Sequence, residues 1–237
     1  KDTKLNTGLA LRASGYGSTA LAYNNAPNPS PTYYRNLPSY QSTDAMKSLY
    51  TSIWQAGNPD DTQINWNDLY MANKLAKDDG QSARYILEER HNDQKQVVLS
   101  SVLNRRQSEH LKTAGGIEAR YTKGLHYKTV ADLLGADRFS DIDQYTENYS
   151  PINPNIQYND LNSASTIKKK DDVFGYNYTI DVLNSNAWFQ NNYSYNNWDY
   201  YYAAKVDYTR FQREGMMRNG RSPNNSYGRG QVHSFLT

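Results

Sequence analysis

The chain has 237 residues, of which 37% are hydrophobic, and its formal net charge is only +2. A soluble globular domain usually carries about 45–50% apolar residues, so material for a conventional core is short. The 22 tyrosines argue against disorder, and the balanced charge gives no case for nucleic acid as a partner. No window approaches 18 apolar residues, which excludes a transmembrane helix, and the lack of cysteine excludes disulfides and thiolate chemistry.

The first third of the chain predicts a strand followed by a long loop. Apolar residues alternate within the stretch 4–24, and Gly15 and Gly17 predict a bend or bulge in this strand. The next segment, APNPSPTYYRNLPSY, contains four prolines, which remove backbone donors and predict a loop. Helical spacing inside this loop predicts two short helices, at 43–55 and 65–76.

The clearest pattern of the chain belongs to the strand predicted at 110–127, which follows a long strand at 82–106 and a polar turn at 107–109. Successive side chains of a strand point to opposite sides. We call one side the apolar face, with Leu111, Thr113, Gly115, Ile117, Ala119 and Tyr121. We call the other side the polar face, with Lys112, Ala114, Gly116, Glu118, Arg120 and Thr122.

The rest of the chain repeats this arrangement. A second loop, 128–172, contains a short helix candidate at 130–134, and strands are predicted at 173–195, 198–213 and 227–236. The Asn196-Asn197 pair predicts a tight turn, since asparagine tolerates positive φ. The strand aromatics are interpreted as residues of the apolar face and its borders, and they are Phe174, Tyr176, Tyr178, Tyr200, Tyr202 and Tyr208.

The connections of the six predicted strands are sorted by length. Long loops at 25–81, 128–172 and 214–226 alternate with tight turns at 107–109 and 196–197. In an up-and-down arrangement all long loops then fall at one end, as in outer-membrane barrels. The predicted fold is therefore all-β, an antiparallel up-and-down transmembrane β-barrel segment whose long extracellular loops carry short helices. About eight strands make the smallest barrels, so either further strands lie in the loops or 1–237 is part of a larger barrel.

Several segments carry a family likeness. They are PNPSPTYYRNLPSY, INWNDLYMAN, YILEERHNDQKQVVLSSVLN and WDYYYAAKVDYTRFQREGMMRNGR, the last followed by SYG. Through them the chain resembles the barrel of TonB-dependent outer-membrane receptors of Bacteroidetes-type bacteria. The resemblance implies a plugged barrel of about 22 strands that captures a ligand with its extracellular loops and imports it with energy passed by TonB.

The resemblance also implies partners and a location. The chain contains no recognisable plug domain and no TonB box, so we expect an internal piece of the barrel. Its partners would be the plug domain, the remaining barrel, TonB and the lipid bilayer, and its location the bacterial outer membrane. Whether a surface lipoprotein also takes part, as in some related nutrient importers, stays open.

Two sets of side chains are candidates for function. Aromatic residues of the loops offer rigid contact area for a ligand, or pack the loops together. They are Tyr33, Tyr34, Tyr40, Trp54, Trp66, Tyr70, Tyr145 and Tyr149. Charged residues of the polar face would face the lumen, where they contact the plug, line the ligand path or form a salt-bridge ladder. They are Lys112, Glu118, Arg120, Lys205 and Asp207.

Catalytic signals are weak. The four histidines show no metal-binding spacing, and no nucleophile elbow or phosphate-binding glycine loop occurs. The adjacent acids Glu88 and Glu89 point to opposite faces of a strand and make a poor acid pair. We expect no enzyme, no metal and no cofactor. Two rival hypotheses remain: a soluble secreted all-β module that binds carbohydrate or surfaces, and a β-sheet glycoside hydrolase.

Overall fold

The computed structural model describes residues 2–149 and 153–236. One seven-stranded antiparallel sheet dominates the described part, and its order is β1-β3-β4-β7-β8-β9, with β2 also paired to β3. The strands are β1 (Asp2–Ser14), β2 (Gly17–Tyr23), β3 (Tyr85–Arg106), β4 (Leu111–Asp132), β7 (Val173–Tyr195), β8 (Trp198–Gly215) and β9 (Gly228–Leu236). The prediction of an all-β antiparallel fold is confirmed.

The strands lie close to the positions that alternation predicts, with two differences. Gly15 and Tyr16 divide the predicted strand 4–24 into two strands, β1 and β2. Both strands pair with β3. The strand predicted at 110–127 continues to Asp132, and the helix predicted at 130–134 is wrong. Val130 is fully buried in the sheet, and positive φ angles at Leu134 and Gly135 turn the chain there.

The connections divide between the two ends of the sheet. The chain leaves β2, β4 and β8 at one end, which we call the loop end, and returns there after residues 24–84, 133–172 and 216–227. Tight turns at 107–110 and 196–197 join strands at the other end, the turn end. At the second turn Asn196 adopts a φ of 52°, as expected of an asparagine in a two-residue hairpin turn.

The first loop carries the helices that the sequence predicts. Helix α1 (Asp44–Ala56) is capped by the Thr43 side chain and ends at Gly57, which has a φ of 63°. A single turn, α2 (Pro59–Thr62), leads to α3 (Trp66–Asp78), which is capped by Asn65. The described part of the second loop contains two two-residue strands, β5 (Phe139–Ser140) and β6 (Ile167–Lys168), which pair with each other, and two 3-10 helices, Gln144–Tyr149 and Pro154–Gln157.

The buried core lies at the loop end rather than in the middle of the sheet. One cluster joins Ile86, Val130, Phe139 and Phe174 with Ala83. A second joins Leu69 of α3 with Tyr85 and Leu134. Because Tyr85 and Ile86 are neighbours in β3, the clusters lie on opposite sides of the sheet. The loops therefore build their core against the loop end, and the rest of the sheet is a single layer.

Strand register gives each face a continuous composition. Residues directly opposite each other in antiparallel strands share a face. Leu9 pairs with Leu99, which pairs with Ala119, and the row continues through Ser185 to Tyr208. Register is unbroken along β7 from Asn177 to Tyr193, so the apolar and polar faces predicted for β4 extend across the sheet.

The register corrects the interpretation of three aromatics of β7. Tyr178 pairs with His126 and Phe174 with Lys128, so both lie on the polar side of β4. Tyr176 lies in the bulge between them and lines the same cavity as Lys128. Apolar side chains occur on the polar face here because the second loop packs against that face at the loop end. In β7 the apolar face is formed by the odd-numbered residues from Leu183 to Tyr195.

The described sheet is open, since its path ends in β1 and β9. The described residues of the three long loops add no further strand to it, because β5 and β6 pair only with each other. The helices of residues 2–149 and 153–236 all lack the length and apolar character needed to cross a membrane.

Candidate functional site

The most unusual surface of the molecule is an exposed apolar belt on the apolar face. We define the belt by four residues in each of four strands and three in β8, which contain no Asp, Glu, Lys or Arg. They are Leu5, Thr7, Leu9, Leu11, Val97, Leu99, Ser101, Leu103, Gly115, Ile117, Ala119, Tyr121, Leu183, Ser185, Ala187, Phe189, Ala204, Val206 and Tyr208. Leu9, Leu11 and Ile117 are 66%, 73% and 57% exposed. A contiguous exposed patch of this kind marks a membrane or protein contact.

Aromatic and charged side chains border this belt. Toward the turn end five exposed aromatics lie side by side, and they are Tyr193, Tyr195, Trp198, Tyr200 and Tyr202. Toward the loop end the next row across the sheet contains Lys95, Lys123 and Asp181. In β8 the charged border comes one row earlier, at Arg210, which lies opposite Leu183 of the belt. The Tyr121 hydroxyl donates to Asp181 Oδ1 at 2.9 Å, which joins the belt to this row.

The polar face carries ion pairs over the same part of the sheet. Arg120 contacts Glu118 at 3.0 Å, and Lys205 contacts Asp207 at 3.0 Å. Glu118 and Asp207 both pair with Asn186 of β7, so the structure brings these four predicted residues into one patch. Lys112, the fifth member of the predicted set, lies apart from them at the turn end.

The structure adds a buried charge cluster that the sequence analysis did not select. Glu88 is 1% exposed, and its Oε2 lies 2.9 Å from Lys128 Nζ. Its Oε1 accepts from Arg90 Nε at 2.6 Å. Arg90 and Lys128 are directly opposite in β3 and β4, so the carboxylate of Glu88 compensates a pair of like charges. The signal in the sequence is the i, i+2 spacing of Glu88 and Arg90, which places them on one face.

A bulge in β7 makes room for the Lys128 side chain. Register shifts between Tyr127 and Lys128, and Gly175 has a φ of 72°. A side chain at residue 175 would collide with Lys128, so glycine serves both the conformation and the close approach. The Lys128 ammonium then lies 4.3 Å from the centroid of the Phe174 ring, within the range of a cation–π contact.

These charges line a cavity of about 340 Å3 at the loop end, which we call the loop-end cavity. Its walls combine Glu88, Arg90 and Lys128 with Tyr23 and with side chains of the second loop, including Tyr145. Burial raises the pKa of the Tyr23 hydroxyl, and the neighbouring Tyr145 raises it further. Aromatic rings, amides and charges in one open cavity suit a polar ligand.

Asp141 fixes the second loop to the sheet beside this cavity. Its Oδ1 accepts from Asn159 Nδ2 at 2.8 Å and from the backbone N–H of Gly175 at 3.0 Å. Only 3% of Asp141 is exposed, and burial raises the pKa of its carboxyl above the usual value, against the opposing effect of these hydrogen bonds. The loop is therefore attached through a desolvated carboxylate.

The structure places the predicted loop aromatics in separate positions. Tyr34 packs edge to face with Tyr33 at 4.7 Å and with Tyr40 at 4.9 Å between ring centroids. Arg35 Nε donates to the Tyr34 hydroxyl at 3.1 Å, which lowers the pKa of that hydroxyl. Trp54 Nε1 donates to the carbonyl of Asn36 at 3.1 Å, and its side chain lines a cavity between the first-loop segments.

The remaining loop aromatics are not part of this group. Trp66 and Tyr70 are exposed on α3, and Tyr70 also lies against Gly135 of the second loop. Tyr145 is 76% exposed at the loop-end cavity. The side chain of Tyr149 lies outside the described residues. Three or more His, Asp or Glu side chains placed to hold a metal ion are not found together in the described segments.

Comparison with known proteins adds no relative to this picture. No family model, no curated protein and no solved structure matches the chain. The conclusions on function therefore depend on the residues themselves.

Proposed function

We propose that this chain forms part of the wall of an outer-membrane β-barrel, a receptor that captures a ligand at its loop end and imports it in a TonB-dependent way. The observation that carries the proposal is the apolar belt, which is exposed, free of charged residues and bordered on both sides. Ion pairs occupy the opposite face at the same level of the sheet. Lipid outside and a polar lumen inside explain this difference between the faces.

The height of the belt supports the proposal that the belt contacts the lipid of a bilayer. Lys95 and Arg105 are the charged residues of β3 on either side of the belt, ten residues apart on the same face. At about 3.4 Å per residue this separation is roughly 34 Å along the strand. A strand tilt of about 40° reduces it to ~26 Å, close to the apolar band of about 25 Å of outer-membrane barrels.

The loop end supports the receptor part of the proposal. The three long connections lie at that end, and two of them build the walls of the loop-end cavity. The cavity opens on the polar face, which would be the lumen side of a barrel. A ligand bound there would lie above the lumen, next to the plug domain on which TonB would act from the other side.

The test compares tryptophans at two neighbouring positions on opposite faces. Trp188 lies on the polar face beside Lys205, and Phe189 lies on the apolar face beside Ala204. In the first variant Trp188 is the only tryptophan. In the second, Phe189→Trp, the four native tryptophans are phenylalanine. Both proteins are reconstituted in vesicles of phosphatidylcholine with brominated acyl chains, and tryptophan fluorescence is measured.

We expect strong quenching for the Phe189→Trp variant and weak quenching when Trp188 is the only tryptophan, because only the first would touch lipid. The two positions lie at nearly the same depth, so a difference reports the face. Equal quenching at both positions, or none at either, would contradict the proposal. A soluble surface-binding module would in addition be recovered without detergent from its source.

A further inference from the structure

The turn end of the polar face carries three cations that lack the compensation found elsewhere on that face. Lys4, Arg106 and Lys112 come from β1, β3 and β4 and line one cavity of about 330 Å3, to which Arg105 of β3 also contributes from the edge of the other face. Arg106 and Lys112 are directly opposite each other in the register. Like charges in this position destabilise a sheet.

Four other cations of the polar face have an acid within reach, whereas Arg12 and Arg213 of that face form no ion pair with the described residues. Arg120 pairs with Glu118, Lys205 with Asp207, and the opposed Arg90 and Lys128 share Glu88. Among residues 2–149 and 153–236, no carboxylate oxygen lies within 4.0 Å of the charged nitrogens of Lys4, Arg106 or Lys112. Asp2, opposite Arg106 at the start of β1, is the one acid in the cavity lining.

We propose that this cavity binds a small multivalent oxyanion of phosphate type, held between Arg106 and Lys112 with Lys4 beside them. The anion would replace the carboxylate that Glu88 supplies to the equivalent pair at the loop end of the same two strands. Guanidinium and ammonium groups are the usual partners of phosphate oxygens. The site does not depend on the proposed membrane role, because it lies on the face away from the belt.

The cavity lining favours a small anion over an acidic protein segment. Asn104, Gln190 and Asn192 supply amide donors around the cations, and Ala114 is the one apolar residue of the lining. A peptide would need apolar surface for its side chains, and this cavity offers almost none. At about 30 Å3 per water molecule, 330 Å3 holds a small anion together with part of its hydration.

The experiment is a calorimetric titration of the purified protein with sodium pyrophosphate in detergent micelles at low ionic strength. Detergent keeps the protein in solution whether or not the belt contacts lipid, so this test can fail independently of the membrane proposal. We expect one binding site per chain. We expect Arg106→Gln and Lys112→Gln each to weaken binding about tenfold, since each removes a charge-assisted contact.

The matched controls are Arg120→Gln and Lys205→Gln, which remove cations of the same face that already have acid partners. Binding should be unchanged in both. Loss of affinity in the controls equal to that in the test variants would overturn the proposal, and so would the absence of pyrophosphate binding. If Arg106→Gln does not fold, Lys4→Gln at the strand edge replaces it.

Two further measurements test the repulsion between the two cations and the chemical class of the anion. Without anion, Lys112→Gln should raise the midpoint of urea unfolding, because it relieves the repulsion with Arg106, and a lower midpoint would contradict the uncompensated pair. A hexaglutamate peptide tests the other source of negative charge. Tighter binding of the peptide than of pyrophosphate through the same residues would replace the oxyanion with an acidic protein segment.

Discussion

The pairing of charged residues in this sheet depends on their position along the strands. Near the middle, acids and bases alternate at i, i+2 spacing and pair on the polar face, as Glu118 and Arg120 do. Exposed pairs of this kind contribute little to stability, typically below about 1 kcal/mol. Glu88 differs because it is buried and serves two cations, so its removal leaves charges without compensation.

Glu88→Gln should therefore destabilise the protein by about 2–3 kcal/mol, below the full cost of breaking a buried pair because Arg90 can turn to solvent. Glu118→Gln is the matched control, since Glu118 also pairs with an arginine two residues away on the same face. It should cost less than about 1 kcal/mol. Urea unfolding of both variants in micelles measures the difference, and equal losses would show that burial of Glu88 has no energetic role.

Asp141 gives the second loop a pH dependence of defined sign. Burial raises the pKa of its carboxyl above the usual value near 3.8, so the folded state holds the proton more tightly than the unfolded state. The protonated carboxyl of Asp141 therefore adds to the free energy of unfolding. This contribution is fully present at pH values below the usual pKa and is lost as pH rises through the folded-state pKa.

Asp141→Asn keeps an oxygen acceptor for Asn159 and Gly175 and removes the charge. The stability of this variant relative to the parent protein should increase as pH rises from about 4 toward neutrality. Urea unfolding across that pH range measures the difference. A difference that stays constant with pH would contradict a buried, titrating Asp141.

Helix α3 connects the first loop to the sheet, and one buried side chain of the helix makes five hydrogen bonds in this connection. Asn73 is fully buried, and its Nδ2 donates to the carbonyls of Tyr85, Leu133 and Leu134. Its Oδ1 accepts from the backbone N–H groups of Arg84 and Tyr85. One amide therefore satisfies backbone groups of β3 and of both loops.

Asn73→Ala should loosen this connection, because it leaves several buried backbone groups without partners, at a cost of about 3 kcal/mol. We expect limited proteolysis to cut within residues 24–84 much faster in this variant. Lys74→Ala, on the exposed side of the same helix, is the control and should leave the cutting rate unchanged. Similar rates in both variants would show that the loop is held by other contacts.

One large sheet with two unlike faces dominates the described part of the molecule, and a bilayer on one side would make the effects of substitutions at neighbouring residues unequal. Val206 is 45% exposed in the belt, and Lys205 lies on the polar face. Val206→Arg should cost about 2–4 kcal/mol near the bilayer midplane, whereas Lys205→Ala should be mild. Unfolding of both variants in vesicles measures these two losses of stability. Equal, small losses would contradict the proposal that the belt contacts the membrane.

Local sequence was sufficient for the features that depend on short-range geometry. Period-two alternation located the strands and the two faces of β4, asparagine at 196 located a turn, and helical spacing located α1 and α3. These signals work because side-chain direction and positive φ depend on residues a few positions apart.

The remaining features depend on pairings between distant residues. Phe174, Tyr176 and Tyr178 look like residues of the apolar face, yet register and the bulge at Gly175 place them on the polar side. The helical spacing of 130–134 is overridden because Val130 continues β4 into the core. Glu88 gains its role only when β4 brings Lys128 beside it, and Lys112 meets a like charge only because the register places Arg106 opposite it. Register and loop packing decide these contacts, since they depend on which strands meet and which loops cover them.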